Sequence, residues 1–186
     1  MAKSGKGSEF ERQVCRQLSA WWTGGQRDDV FWRSANSGAM AKTRSKTGKS
    51  TFGQYGDIQA TDPIGQPLLD YFTIEVKRGY SAYTFMDMMD KKETAAMQQW
   101  EQFFHQVDED RKNAGLDAWM LITRRDRRET LAFFPLRMMS HIDTYSALRQ
   151  CPHIIARVDL KEGGSLHVYC CLLQDFFDRV SPENFR

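Results

Sequence analysis

The sequence has few cysteines and no pattern that would use them. Four are present among 186 residues, at positions 15, 151, 170 and 171, and none belongs to a Cys-x-x-Cys pair. The adjacent Cys170 and Cys171 would point to opposite faces of a strand. The sequence therefore predicts neither a disulfide framework nor a zinc site, and it suits a reducing cytoplasm.

Long apolar runs and several catalytic patterns are also missing. No stretch approaches the ~18 consecutive apolar residues of a membrane span, and no apolar segment follows the N-terminal lysines as a secretory signal requires. The four histidines, at 105, 141, 153 and 167, show no paired spacing for a metal. A Gly-rich phosphate loop and a Ser-His-Asp arrangement are absent as well. We therefore expect neither membrane association nor histidine-based catalysis.

Negative charge is missing from one part of the chain. Residues 1–56 contain ten Lys/Arg and four Asp/Glu, whereas the remainder contains sixteen and twenty. The segment 39–56 has no acid and is rich in Ser, Thr and Gly. Its cations are Lys42, Arg44, Lys46 and Lys49. Such a segment suits contacts to nucleic-acid phosphates, and an ordinary solvated loop is the alternative.

Two acids occupy strand-like sequence within residues 57–77. Apolar and polar residues alternate in phase on both sides of a turn-rich middle, so we expect an antiparallel hairpin with Asp57 opposite Glu75. Carboxylates on opposed residues repel each other unless a cation lies between them, and Mg²⁺ takes oxygen ligands of this kind. Lys77 would share their face and could orient a metal-bound water. The alternative is a solvent-facing strand on which Lys77 only screens the acids.

Apolar periodicity predicts the other elements. A helix over 8–22 carries Glu11 near its first turn, where the acid either completes a site or only suits the helix dipole. The basic turn at 124–128 either contacts nucleic acid or is a solvated hairpin tip. The further predicted elements are a strand at 30–32, a helix over 86–114, strands at 118–123 and 130–134, a helical segment over 135–149, a hairpin of 153–160 with 165–172, and a short terminal helix.

Four blocks of sequence resemble the motifs of one nuclease family. The blocks are Lys6-Gly7-Ser8-Glu9-Phe10-Glu11-Arg12-Gln13-Val14, Trp32-Arg33-Ser34-Ala35-Asn36-Ser37-Gly38, Gly56-Asp57-Ile58-Gln59-Ala60 and Ile74-Glu75-Val76-Lys77-Arg78. Their content and order are similar to those of archaeal-type Holliday-junction resolvases, within the PD-(D/E)xK nuclease superfamily. The motifs cover residues 6–78, and the likeness in element order reaches about residue 123. One departure is Tyr55-Gly56 before Asp57, where the superfamily has a proline.

The resemblance implies a fold, a cofactor and partners. It implies an α/β fold of the α+β type with a mixed sheet, built on a restriction-endonuclease-like αβββαβ core. A single nuclease domain would span residues 1–186, with the core at about 6–134 and a C-terminal hairpin and helix at about 135–186. The resemblance further implies Mg²⁺, with Mn²⁺ as a substitute, a homodimer, and branched DNA as the partner. The protein would act in the cytoplasm, with the nucleoid or, in a viral version, in an infected host cell.

Roles follow from the same resemblance, residue by residue. The implied catalytic residues are Glu11, Asp57, Glu75, Lys77 and Ser37. The implied metal ligands are Glu11, Asp57, Glu75 and the backbone carbonyl of Val76. The implied DNA contacts are Lys6, Arg33, Ser37, Lys42, Arg44, Lys46, Lys49 and Arg78. The function expected is Mg²⁺-dependent cleavage of four-way junctions; a restriction-like, repair or nicking nuclease and a non-catalytic nucleic-acid-binding module are the alternatives.

Overall fold

A mixed five-stranded sheet forms the centre of the molecule. The computed structural model describes residues 6–34, 55–80, 82–90, 99–140, 142, 145–159 and 164–186. The strands are β1 (Phe31–Arg33), β2 (Ile58–Ala60), β3 (Phe72–Arg78), β4 (Ala118–Arg124), β5 (Thr130–Pro135), β6 (His153–Asp159) and β7 (Ser165–Leu172). The sheet has the order β3-β4-β5-β7-β6, while β1 and β2 form a separate two-stranded sheet. Strands β3 and β4 are parallel, and the other pairs are antiparallel.

Helices cover both faces of the sheet. They are α1 (Lys6–Trp22), α2 (Gln66–Tyr71), α3 (Asp87–Asp90), α4 (Gln99–Ala114), α5 (Tyr145–Arg149) and α6 (Leu173–Arg179), with 3₁₀ turns at Pro63–Gly65, Leu136–Ser140 and Pro182–Phe185. Together with the mixed sheet, they give the predicted restriction-endonuclease-like α+β architecture. No helix among the described residues is long and apolar enough to cross a membrane.

The first helix packs one face against the sheet. Phe10, Val14, Leu18 and Trp22 recur every four residues and are buried, as expected for the apolar stripe of an amphipathic helix. They join a core cluster with alternate residues of β3 and β4. The predicted helix over 8–22 is confirmed, although it begins two residues earlier, at Lys6. Its polar face therefore has a fixed orientation relative to β3.

Strand β4 lies inside the sheet and contributes to both core layers. Met120 and Ile122 belong to the cluster beneath α1, whereas Trp119 and Leu121 belong to the cluster beneath α4. All four side chains are buried, which agrees with the prediction of a central strand from its continuous apolar sequence. The helix predicted over 86–114 is described in two pieces, α3 and α4, and residues 91–98 lie outside the described part.

The pairing predicted for residues 57–77 is wrong. Strand β2 pairs antiparallel with β1, and β3 pairs in parallel with β4. The expected tight turn is instead a 3₁₀ turn followed by α2, each with a proline in its first turn, where the missing N–H costs little. Asp62 caps the first of these by accepting a hydrogen bond from the Ile64 N–H at 3.0 Å. The connection between β2 and β3 runs from Ala60 to Phe72. It is therefore longer than the two- to five-residue loop of a hairpin.

The C-terminal segment completes the sheet. Strand β7 lies between β5 and the edge strand β6, so the predicted 153–160 and 165–172 hairpin is confirmed. Helix α6 follows, and its Phe176 is buried in the same cluster as Phe10. The indole N–H of Trp21 also donates to the Val180 carbonyl at 2.9 Å. The region predicted as an elaboration therefore packs against the helix that carries Glu11.

Candidate active site

Asp57 contacts β3 on both sides of Glu75. Its backbone N–H donates to the Ile74 carbonyl at 2.8 Å, and its Oδ2 accepts the backbone N–H of Val76 at 2.8 Å. A side-chain oxygen thus takes the place that a neighbouring strand's carbonyl would occupy. Although the predicted hairpin register is wrong, Asp57 and Glu75 lie side by side.

Two small residues allow Asp57 to approach β3 so closely. Gly56 has a φ of +88°, and a Cβ at this position would come within 2.7 Å of the Ile74 carbonyl oxygen. Ser34 holds the same segment from the other side: its hydroxyl donates to the Gly56 carbonyl at 3.0 Å, and its N–H donates to the Asp57 carbonyl at 2.8 Å. Glycine is therefore required where the superfamily has a proline.

Glu75 is buried and shares one oxygen between two donors. Its Oε2 accepts a hydrogen bond from Lys77 Nζ at 2.8 Å and another from Gln106 Nε2 at 3.2 Å. Lys77 lies two residues along the same strand, so both side chains emerge on one face, as alternation along β3 predicts. Gln106 reaches them from α4. The helix therefore closes one side of the site.

The electrostatics of this group oppose ionisation of Glu75. Burial, followed by the neighbouring carboxylate of Asp57, raises the pKa of Glu75 to about 8, although Lys77 acts in the opposite direction. Burial tends to lower the pKa of Lys77, but Glu75 and Asp57 together hold it above its ordinary value. Because two carboxylates compete for one positive side chain, a second cation beside them would be stabilised.

Glu11 lies on α1 and contacts a residue that is predicted to bind DNA. Its Oε2 accepts a charged hydrogen bond from Arg33 Nε at 2.9 Å. Burial first, then the nearby Glu11, raises the pKa of the Cys15 thiol to about 12; Asp57 also raises it, whereas Arg33 lowers it. Both acids therefore lie within electrostatic reach of the same thiol, on one side of the molecule.

The donor set fits a divalent cation only in part. Asp57 and Glu75 supply adjacent carboxylate oxygens, the ligands that Mg²⁺ prefers. Burial and then the Asp57 carboxylate raise the pKa of Glu75 in spite of Lys77, so a further cation beside the two acids would be stabilised. Within the described ranges, no three Asp, Glu, His or Cys side chains are grouped closely enough to hold a metal. Glu11 is engaged by Arg33, so its role as a third ligand stays a prediction. Val76 contacts Asp57 through its N–H, and ligation by its carbonyl also stays a prediction.

Other predicted DNA contacts have different positions. Arg78 lies over the Phe10 ring, 5.8 Å from the centroid, and its Nε is 3.9 Å from the Asp126 carboxylate. Lys6 begins α1, and its side chain is outside the described part. The following predicted residues also lie outside the described residues: Ser37, Lys42, Arg44, Lys46 and Lys49.

Sequence reasoning missed three residues that surround the two acids. Ser34 and Gln106 have the contacts given above, and the buried Asp110 on α4 contributes to the raised pKa of Glu75. The sequence does carry a signal for Gln106 and Asp110. Gln106 and Asp110 are four residues apart, so they share one side of α4, and Gln106 directly precedes the buried Val107. Polar residues next to the apolar stripe of a helix indicate that the helix contacts polar groups where it packs on the sheet.

The fold and the site together define a class of enzyme. A restriction-endonuclease-like sheet carrying Asp57 beside a Glu75-Val76-Lys77 strand is the arrangement of a PD-(D/E)xK nuclease. The chain belongs to the family described as phage putative PDDEXK endonuclease, whose model matches residues 2–186. No curated protein and no solved structure gives a significant match. The family confirms the predicted superfamily and supports a viral origin, and nucleases of this superfamily generally use divalent metals.

Proposed function

We propose that the protein is a Mg²⁺-dependent endodeoxyribonuclease that hydrolyses phosphodiester bonds at four-way DNA junctions. The observation that carries the chemistry is the contact of Lys77 with Glu75 at 2.8 Å, beside Asp57 on the neighbouring chain segment. The acid pair would hold a cation, and that cation and the Lys77 ammonium would both stabilise the negative charge that develops on a phosphate. The endonuclease family supports the reaction class.

Each residue in this group has a distinct proposed role. Asp57 and Glu75 would hold the cation, which would supply Lewis-acid activation of the phosphoryl oxygen and of the attacking water. Lys77 keeps its proton because both acids raise its pKa, so its ammonium can donate a hydrogen bond to the charge developing on the phosphate. Gln106 fixes the orientation of the Glu75 carboxylate. Glu11 either joins the ligands or holds Arg33 towards the DNA.

The junction substrate rests on the four resolvase-like motifs within residues 6–78. A four-way junction has pseudo-twofold symmetry, so a homodimer with two equivalent sites suits paired cuts. Backbone and shape contacts would then provide specificity. A nuclease with a restriction-like, repair or nicking role is the second candidate, and the family description, which specifies an endonuclease without a junction, favours it equally. In either case, a phage enzyme would act in an infected host cell.

A cleavage panel tests both parts of this proposal. The substrates are a four-way junction, a flap, a nicked duplex and a linear duplex, each assayed with Mg²⁺, with Mn²⁺ and with EDTA. We expect metal-dependent cleavage concentrated on the junction, and no cleavage by Glu75→Gln. Cleavage in EDTA, or by Glu75→Gln at the wild-type rate, would refute the metal site. Equal cleavage of the junction and the linear duplex would favour the second candidate.

A further inference from the structure

The carboxyl ends of β3 and β4 meet beside the proposed active site. The two strands are parallel, so Lys77 pairs with Thr123 and Arg78 pairs with Arg124 across the register. The turn from β4 to β5 begins at this point and carries four arginines over residues 124–128. Arg125 lies two residues beyond Thr123, roughly 7 Å along the chain, which is about the rise of two nucleotides in a DNA strand.

Backbone strain is concentrated at the same edge. Among the described residues, Tyr80 and Arg127 are the two non-glycine residues with positive φ, at 55° and 60°. This conformation is costly for residues with long or bulky side chains, and Gly or Asn adopts it more readily. Tyr80 follows the end of β3 and Arg127 lies in the β4–β5 turn. Strained non-glycine residues are frequent at functional sites, so the side chains of Tyr80 and Arg127 are candidates for a function.

The arginines of this edge differ in how they are held. Arg124 donates to the Gln13 side chain at 3.2 Å and, like Arg78, lies over the Phe10 ring. By contrast, none of the ion pairs and side-chain hydrogen bonds in the described part of the chain involves the guanidinium groups of Arg125, Arg127 or Arg128. Arg127 and Arg128 are exposed. Two arginines thus support the fold here, while three are available to bind an anion.

The larger of two adjoining cavities reaches two of the available arginines, Arg125 and Arg128. It has a volume of about 260 Å³ and is lined by Trp100, Thr123, Arg125, Arg128, Glu129 and Leu131. A smaller cavity shares three of these residues and reaches Lys77 and Tyr80. Tyr80 packs edge-on against Phe103, with ring centroids 4.9 Å apart, and 45% of its surface stays exposed. The volume is slightly below the ~300–1,000 Å³ of small-molecule sites, so it suits part of one nucleotide.

We propose that Tyr80, Arg125, Arg127 and Arg128 form a second DNA contact, the arginine-turn surface, which binds the strand flanking the cleaved bond. The position of this contact relative to the cleaved bond rests on the function proposed above. The arginines bind phosphates, and the exposed ring of Tyr80 stacks on a base, a contact that tolerates any sequence. Glu129 in the cavity wall repels a phosphate placed next to it, so the phosphate lies on the side of Arg125 and Arg128.

Binding measured without metal tests the surface separately from catalysis. Fluorescent single-stranded, duplex and junction DNAs are titrated in EDTA over a range of salt concentrations, so that no cleavage is needed. For Arg125→Ala with Arg128→Ala we expect about tenfold weaker binding and a salt slope lower by about 1.8 on duplex DNA. Glu129→Gln should bind more tightly. Arg157→Ala with Arg179→Ala is the charge-matched control, because these exposed arginines lie on β6 and α6, and its slope should stay near that of the wild type.

Arg127→Asn separates a binding role from a structural one. Asn accepts the positive φ, so the melting temperature should stay unchanged or rise by up to about 2–4 °C, while the salt slope falls by about 0.9. Equal slopes for the Arg125/Arg128 variant and its control would overturn the arginine-turn surface, even if DNA is cleaved. A reduced slope in a protein that cleaves no DNA would retain the surface and refute the nuclease function instead.

Discussion

The backbone N–H of Val76 donates to the carboxylate of Asp57, with 2.8 Å between nitrogen and Oδ2. This bond lies in the buried centre of the site, since Val76 and Asp57 are each 5% exposed. Asp57 therefore has a structural duty in addition to its proposed role at the metal. The two roles make different demands on the side chain, because the structural role needs only an acceptor whereas a cation requires negative charge.

Two substitutions of Asp57 should separate these roles. Asp57→Asn keeps an oxygen acceptor for the Val76 N–H but removes the charge, so we expect near-wild-type stability and loss of cleavage with retained DNA binding. Asp57→Ala also leaves the buried N–H unsatisfied, which costs about 1–3 kcal/mol. Chemical denaturation with a parallel cleavage assay measures both effects. Equal stability of the two variants would contradict the structural role, and cleavage by Asp57→Asn would contradict the catalytic one.

The raised pKa of Glu75 predicts a pH-dependent stability. Between the ordinary value of 4.5 and the folded value of about 8, the native protein keeps a proton that the unfolded chain has lost. The free energy of unfolding of the metal-free protein therefore falls as pH rises through this window, by up to a few kcal/mol. Glu75→Gln should remove this slope and be the more stable protein at pH 8.

Denaturant unfolding in EDTA at several pH values between 4.5 and 8 measures this slope. Saturating Mg²⁺ should also flatten the wild-type profile, because the cation replaces the proton on the acid pair. Gln174→Ala, a change at an exposed position on α6, should retain the wild-type slope. A Glu75→Gln profile that follows the wild type throughout would show that Glu75 titrates normally in the fold.

The close approach of Gly56 to β3 predicts a severe effect of one added methyl group. Gly56→Ala places a Cβ about 2.7 Å from the Ile74 carbonyl oxygen at a φ of +88°, and the conformation alone costs about 1–2 kcal/mol. We expect a loss of several kcal/mol in stability and a displaced Asp57. Gly7→Ala is the matched control, since a Cβ there meets nothing within 4 Å and alanine favours the helix. If both variants had the melting temperature of the wild type, the close contact between Gly56 and the Ile74 backbone would be excluded.

Much of this architecture was predictable because apolar periodicity is a local property. The spacing of Phe10, Val14, Leu18 and Trp22 predicts α1, and the continuous apolar run of β4 predicts its central position. The alternation along β3 also predicts that Glu75 and Lys77 share a face. These predictions need only the spacing of apolar residues within a single helix or strand, and the structure agrees with them.

Strand pairing was less predictable because it depends on partners that are distant in sequence. Strand β2 pairs with β1 and β3 with β4, and the Pro63 and Pro67 segments that suggest a turn also suit the first turns of helices. Asp57 nevertheless contacts β3, through the positive φ of Gly56 and the hydroxyl of Ser34. Such contacts arise from single residues without periodicity. For Gln106 the sequence shows only a polar residue beside the apolar stripe of α4, and its contact with Glu75 depends on how the helix packs on the sheet.

Gln106 should act as a positioning residue for Glu75. Its side-chain amide donates a hydrogen bond of 3.2 Å to Glu75 Oε2, the same oxygen that accepts a hydrogen bond from Lys77. Gln106→Ala therefore leaves the orientation of the Glu75 carboxylate less restricted. We expect kcat to fall about tenfold, the effect commonly seen on losing a supporting contact at a metal site, with KM for DNA nearly unchanged and a higher Mg²⁺ concentration needed for half-maximal rate. Gln106→Glu adds a third negative charge beside Glu75 and should shift that Mg²⁺ requirement in the opposite direction while weakening binding of DNA. Mg²⁺ titrations of the cleavage rate, with Gln174→Ala as the control, measure these shifts; a purely structural role would lower the melting temperature and leave the Mg²⁺ requirement where the wild type has it.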